Sequence, residues 1–76
     1  MEKILNIKPL EDYLIAVETS SVTGVFDVKP YLNFNVFKAL KNKGYFNSVV
    51  ATKYGIEWQN GQDFSSDTII FDIKNQ

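Results

Sequence analysis

Cysteine, histidine and arginine are all missing from this chain of 76 residues. Without cysteine there is no disulfide framework, so the stapled design of small secreted domains is excluded. Without histidine the imidazole-dependent serine and cysteine triads, the common zinc sites and the usual proton carrier near neutral pH are excluded as well. Arginine supplies the planar fork that grips phosphate and guanine. Its absence, together with a net charge of −1, argues against direct nucleic-acid binding.

Long apolar runs are lacking too, since no stretch approaches the roughly 20 residues that span a bilayer. The N-terminal Met1-Glu2-Lys3-Ile4-Leu5 has neither the apolar core nor the small-residue cleavage site of a signal peptide. A soluble, cytoplasmic protein with no membrane contact is expected. The four glycines are scattered, so no glycine-rich phosphate loop is present. Internal repeats, low-complexity stretches and linkers are also absent.

What is present is the balance of an ordinary globular protein, 45% hydrophobic and 22% charged. Residues 1–76 form one domain, and a domain this short buries only about 60 to 65% of its unfolded surface. Stability is then modest, and a partner or a second copy would add to it.

The chain is organised around residues 24–41, where a strand ends, Pro30 turns the backbone and a helix begins. Residues 3–8 read as a first strand ending at a turn over Pro9-Leu10-Glu11-Asp12. Residues 13–19, rich in aromatic and β-branched side chains, read as a central strand. After Ser20-Ser21, residues 22–28 form a third, giving an antiparallel meander. Pro30-Tyr31-Leu32 suits a 3₁₀ turn. A helix of about two turns follows, capped by Asn33 or Asn35, with Phe37, Leu40 and Val36 inward and Lys38 and Lys41 outward, closed by a left-handed Gly44. Residues 48–52 and 56–58 read as two strands joined through Lys53-Tyr54-Gly55, the glycine permitting positive φ. Asn60-Gly61 marks another turn. Two readings of the tail stay open. Ser65-Ser66-Asp67 suits a helix cap, whereas Ile69, Phe71 and Ile73 alternate as in a strand, and the alternation favours a short turn followed by an extended tail. The fold class is α+β, a mostly antiparallel sheet of about five strands in the order β-β-β-α-β-β with one short helix on one face.

Chemistry has little to work with. Asn60, Asp63 and Asp67 carry oxygen ligands suited to a hard cation, but the run after Asn60-Gly61 lacks the alternation and the final glutamate of a calcium loop. Turn-shaping by Asn60 and Gly61 and local backbone bonding by Asp63 explain the same residues, so no metal site and no cofactor is assigned. Asp27 reads as a local backbone acceptor near the Pro30 turn rather than a catalytic carboxylate. Trp58 reads as core, its indole N–H meeting a carbonyl, rather than as a stacking platform. With no cleft expected in so small a chain, the protein is read as non-enzymatic. Six Phe, four Tyr and one Trp exceed what one thin core encloses, so some of Tyr31, Phe34, Tyr54, Phe64 and Phe71 are expected at the surface. Together with an unpaired sheet edge they are raw material for an interface.

These residues also carry a likeness. Pro9-Leu10-Glu11-Asp12-Tyr13-Leu14, Phe26-Asp27-Val28-Lys29-Pro30-Tyr31-Leu32, Phe37-Lys38-Ala39-Leu40, Phe46-Asn47-Ser48-Val49 and Gly55-Ile56-Glu57-Trp58-Gln59-Asn60-Gly61-Gln62-Asp63, followed by Ser65-Ser66-Asp67-Thr68, span nearly the whole sequence. Their order resembles a bacterial family, the domain of unknown function twenty-four forty-two, and the Trp-x-Asn-Gly-x-Asp pattern is the most specific piece. The resemblance implies a small α+β domain, often encoded beside a second small protein as in toxin–antitoxin pairs. It brings no catalytic residues. Some members continue into a helix-turn-helix domain that this sequence lacks, and here Gln59 stands where proline is common and the tail is more apolar. The expected function is a protein-interaction module, the antitoxin-like half of a two-protein system, with another protein or a second copy as partner. The alternative from another class is a small-ligand or divalent-metal binding domain, and a nucleic-acid-associated regulator ranks third.

Overall fold

The computed structural model describes residues 2–76; Met1, part of the N-terminal stretch read above, lies outside them. Three strands open the chain, β1 (Ile4–Pro9), β2 (Leu14–Thr19) and β3 (Thr23–Asp27), joined in sequence order into an antiparallel sheet. This is the meander that the sequence predicts. Along β2 the side chains of Ile15, Val17 and Thr19 are buried while Glu18 is exposed, the two-residue period of a strand with one face on a core. Opposite Ile15 lies Phe26 of β3, itself fully buried. Buried Thr19 is satisfied locally: its hydroxyl donates to Val22 O (2.8 Å) and accepts from Val22 N–H (2.9 Å), which holds the Ser20-Ser21 turn.

The turn between β1 and β2 is strained. Asp12 (φ +64°) and Tyr13 (φ +58°) both occupy the left-handed region; Asp adopts it readily, but the bulky Tyr13 does so only with support. The support comes from the rest of the chain. Tyr13 O accepts from Val28 N–H (3.0 Å), the Tyr13 hydroxyl donates to Lys41 O (2.5 Å), and its ring meets Phe46 edge-on at 5.3 Å. Lys29 Nζ reaches Asp12 O at 3.0 Å.

A 3₁₀ turn, Lys29–Tyr31, follows β3 with Pro30 inside it, and a second 3₁₀ segment covers Asn35–Lys41 before a short helix, α1 (Lys43–Phe46). The expected two-turn α-helix is therefore corrected. Phe37 and Leu40, three apart, share a face best when the winding is three residues per turn. Leu40 is the one buried residue of that segment and Val36 is exposed, too narrow an apolar stripe to hold an α-helix. The caps move accordingly. Neither Asn33 nor Asn35 caps; Asn42 Oδ1 accepts from Tyr45 N–H (2.9 Å), and Gly44 lies within α1 instead of ending it.

The remaining strands, β4 (Val50–Thr52), β5 (Gly55–Glu57) and β6 (Asp63–Ser65), make a second three-stranded antiparallel sheet. One sheet of five strands thus becomes two sheets of three. They abut where Ile4 N–H donates to Lys53 O (2.9 Å), next to a register irregularity in β1 between Ile4 and Asn6. Gly55 is not the left-handed residue of a turn. It opens β5, where a Cβ would stand 2.5 Å from Phe64 O, so close strand approach is what requires glycine there.

The tail is α2 (Ser66–Lys74), not an extended strand. Ser66, Ile69, Ile70 and Ile73 follow helical spacing and face the core, leaving Phe71 outside. Ser65 Oγ accepts from Thr68 N–H (3.2 Å), with Asp67 in the first turn and Lys74 in the last complementing the helix dipole. α2 packs on β3, β5 and β6, closing the open side of both sheets over one core that includes Ile15, Phe26, Leu40, Phe46, Trp58 and Ile69.

Candidate functional site

Of the five aromatics expected at the surface, three gather. Tyr31, in the 3₁₀ turn after β3, is the hub, its ring 4.9 Å from Phe64, 6.1 Å from both Phe26 and Phe37, and 6.5 Å from Phe34. Its hydroxyl donates to Asp72 Oδ2 of α2 at 2.5 Å. Ionising the phenol there would set two negative charges in contact, so its pKa is pushed up to about 12, first by this hydrogen bond and then by burial. A phenol raised in this way holds its stabilising bond below the unfolded value of about 10 and loses it as pH climbs towards the folded one. The tie between α2 and the turn is therefore intact across the physiological range.

Phe34, 58% exposed, neighbours this fixed ring, and Phe71, 66% exposed, shares a groove with it. Between the two elements runs an open groove of about 430 Å³, with Asp27, Pro30 and Tyr31 on one wall and Phe71, Asp72 and Asn75 on the other. The other two aromatics are not part of this exposed set. Tyr54, 40% exposed, sits between β4 and β5 with Lys53 Nζ 5.3 Å from its ring centroid. Phe64 is corrected from surface to core: it is only 5% exposed and stacks on Phe37 at 4.7 Å. In β6, Asp63 and Ser65 take the outward positions, and strand alternation sends Phe64 inward.

The motif residues are structural. Trp58 is buried and its Nε1–H donates to Phe46 O at 2.9 Å. Asp27 Oδ1 accepts from Lys29 N–H (2.9 Å) and from Lys29 Nζ (3.1 Å), the local role expected of it. Lys29 Nζ also reaches Asp12 Oδ2 (3.2 Å), and Asp27 first, then Asp12, hold that ammonium above its ordinary pKa. Gly61 has φ +100°, and its N–H donates to Trp58 O (3.1 Å) in the tight loop between β5 and β6.

What secures this loop is not the Asn60 or Asp63 side chain. The Tyr45 hydroxyl accepts from Asn60 N–H (2.9 Å) and donates to buried Gln62 Oε1 (2.6 Å). Sequence reading missed this clasp because its partners come from α1 and a distant loop, with no local pattern joining them. Tyr45→Phe leaves Gln62 with an unpaired buried acceptor and is expected to cost about 1–2 kcal/mol. Urea denaturation checks this, as a lower midpoint at unchanged slope.

The metal alternative finds no support in side-chain clustering. Among the described residues, no three His, Cys, Asp or Glu gather where they could hold a metal ion. Asp67 lies in the first turn of α2, where the helix dipole accounts for it. A second groove, about 490 Å³, lies against the strained turn, with Leu10, Asp12, Tyr13, Lys43 and Phe46 in its wall. The strain there is held by the tethers to Val28, Lys41 and Lys29. Among the described residues no helix is long and apolar enough to cross a membrane. Comparison with protein-family models, with curated proteins and with solved structures returned no match.

Proposed function

We propose that this chain is a non-enzymatic protein-interaction module whose partner covers the face formed by Tyr31, Phe34 and Phe71. The observation that carries the reading is the pair of largely exposed phenylalanines, Phe34 and Phe71, near a tyrosine pinned to Asp72. Large exposed aromatics lose solvation free energy unless something covers them. Rings held on fixed elements reach a partner with little ordering cost, the usual makeup of a binding hot spot.

The mode of contact in this reading is a groove beside a helix, not the unpaired sheet edge. α2 lies across β3, where the Gln76 side-chain amide donates to Val25 O. The likeness to the domain of unknown function twenty-four forty-two adds the biological setting, the neutralising half of a bacterial two-protein system. That setting rests on resemblance alone.

Capture from a lysate of the native host tests the reading. Phe71→Ser is expected to reduce the co-purifying partner at least about tenfold, the loss of one hot-spot side chain, while the melting temperature holds, because the ring touches solvent more than core. Tyr54→Ser, on a separate surface, should leave capture unchanged. Undiminished capture by Phe71→Ser would remove this face from consideration.

A further inference from the structure

We infer that the partner segment seated in the Tyr31–Phe71 groove is cationic, an arginine-bearing peptide stretch with apolar neighbours. This rests on the interaction reading above and adds to it the chemistry of the partner. The groove walls carry two carboxylates, Asp27 and Asp72, and no lysine. Among the described residues, Asp27 bonds through Oδ1 and Asp72 through Oδ2, so each keeps one oxygen for a donor from outside. Lys29, which does not line the groove, is shared between Asp12 and Asp27. Among the described residues Asp72 has no cation partner. The C-terminal end of nine-residue α2 lies at the same groove, through Asp72 and Asn75, and its negative pole adds to the field.

The apolar part of the groove selects among cations. A guanidinium is planar and weakly hydrated, so it can lie on the faces of Tyr31 and Phe71 while its edge donates to the free carboxylate oxygens. A lysine ammonium would gain the charge contact but not the stacking. Adjacent leucine-like side chains would cover Phe71 and reach towards Phe34, the rings that water now wets. The fixed Tyr31–Asp72 bond keeps that carboxylate pointed at the groove before any partner arrives.

The test is an NMR titration of the full-length protein with three octapeptides. The first is Gly-Ser-Leu-Arg-Leu-Arg-Ser-Gly; the others replace both arginines by citrulline, equal in shape but uncharged, or by glutamate. The arginine peptide is expected to shift the amides of Tyr31, Phe71 and Asp72, with citrulline binding about tenfold weaker and glutamate weaker still. Asp72→Asn, which keeps an acceptor for the Tyr31 hydroxyl, should weaken the arginine peptide about tenfold at an unchanged melting temperature. Equal affinity for the arginine and citrulline peptides, lost in Phe71→Ser, overturns the cationic partner while leaving an apolar interaction face. No arginine-peptide shift at this groove also overturns it. Only if capture of the natural partner also survives Phe71→Ser does the interaction reading itself fall.

Discussion

Trp58→Ala is expected to lower the unfolding free energy by about 3–5 kcal/mol, the range for removing a large aromatic from a core. A domain of 76 residues has roughly 4–11 kcal/mol to lose at about 0.05–0.15 kcal/mol per residue, so the variant loses from about a third to all of its stability and, at the lower end of that range, is partly unfolded at room temperature. Two effects combine. Trp58 is 2% exposed and packs against Phe46 and Phe64, at 6.0 and 6.1 Å between centroids, so a cavity opens between α1 and the second sheet. The Phe46 carbonyl also loses the indole N–H, its shorter bond, and keeps only the 3.3 Å bond from Val49 N–H. Trp58→Phe restores most of the volume but not the donor, and should cost distinctly less. Urea denaturation followed by circular dichroism reads both variants. A loss below about 1 kcal/mol for the alanine would mean that the site collapses freely and that Trp58 is not a keystone of this core.

The second large effect is expected from one methyl group. In Gly55→Ala the new Cβ would lie 2.5 Å from Phe64 O and 3.4 Å from both Phe64 C and Ser65 Cα, all backbone atoms that cannot rotate aside. β5 and β6 must then separate, and the bond from Ser66 N–H to Tyr54 O (2.8 Å), which seats the start of α2, goes with them. Overpacking against backbone costs about 3 kcal/mol. Gly61→Ala is the internal control. Nothing lies within 4 Å of its would-be Cβ, and only its φ of +100° resists a side chain, which costs about 1 kcal/mol. Comparable losses for the two alanines would show that β5 can shift to admit the methyl group.

The contrast between those glycines explains much of what the sequence conveyed and what it withheld. Gly61 sits in the Asn-Gly pair whose loop chemistry is local, and it was read correctly. Gly55 was assigned to the neighbouring turn, because the approach of β6 that requires it comes from eight residues and one loop further on. The meander of β1, β2 and β3 is legible in the aromatic and β-branched run of residues 13–19 and the short connections on either side of it. α2 is not, since Ile69, Phe71 and Ile73 alternate by coincidence on a helix; the adjacent Ile70 and the Ser65 cap are the signals to weigh. The division into two sheets depends on one irregular register near Leu5 and a lone bond from Ile4 to Lys53, neither of which leaves a pattern in composition or spacing.

The candidate surface was legible in part for the same reason. An aromatic excess over the size of the core predicts exposed rings, and Phe34 and Phe71 are such rings. Which aromatics stay inside is decided by strand phase, and Phe64 went to the core because β6 turns its middle residue inward. That Tyr31 and Phe71 share a groove follows from α2 folding back across β3, a tertiary event. The Tyr31–Asp72 bond that fixes it joins residues 41 positions apart.

The most direct test of the central claim is amide hydrogen exchange on the complex with the captured partner, compared with the free protein. Slower exchange confined to residues 29–37 and 70–76 is the predicted footprint, with residues 50–57 around Tyr54 unchanged. Protection at residues 50–57 with the Tyr31, Phe34 and Phe71 region exchanging as before would contradict the account.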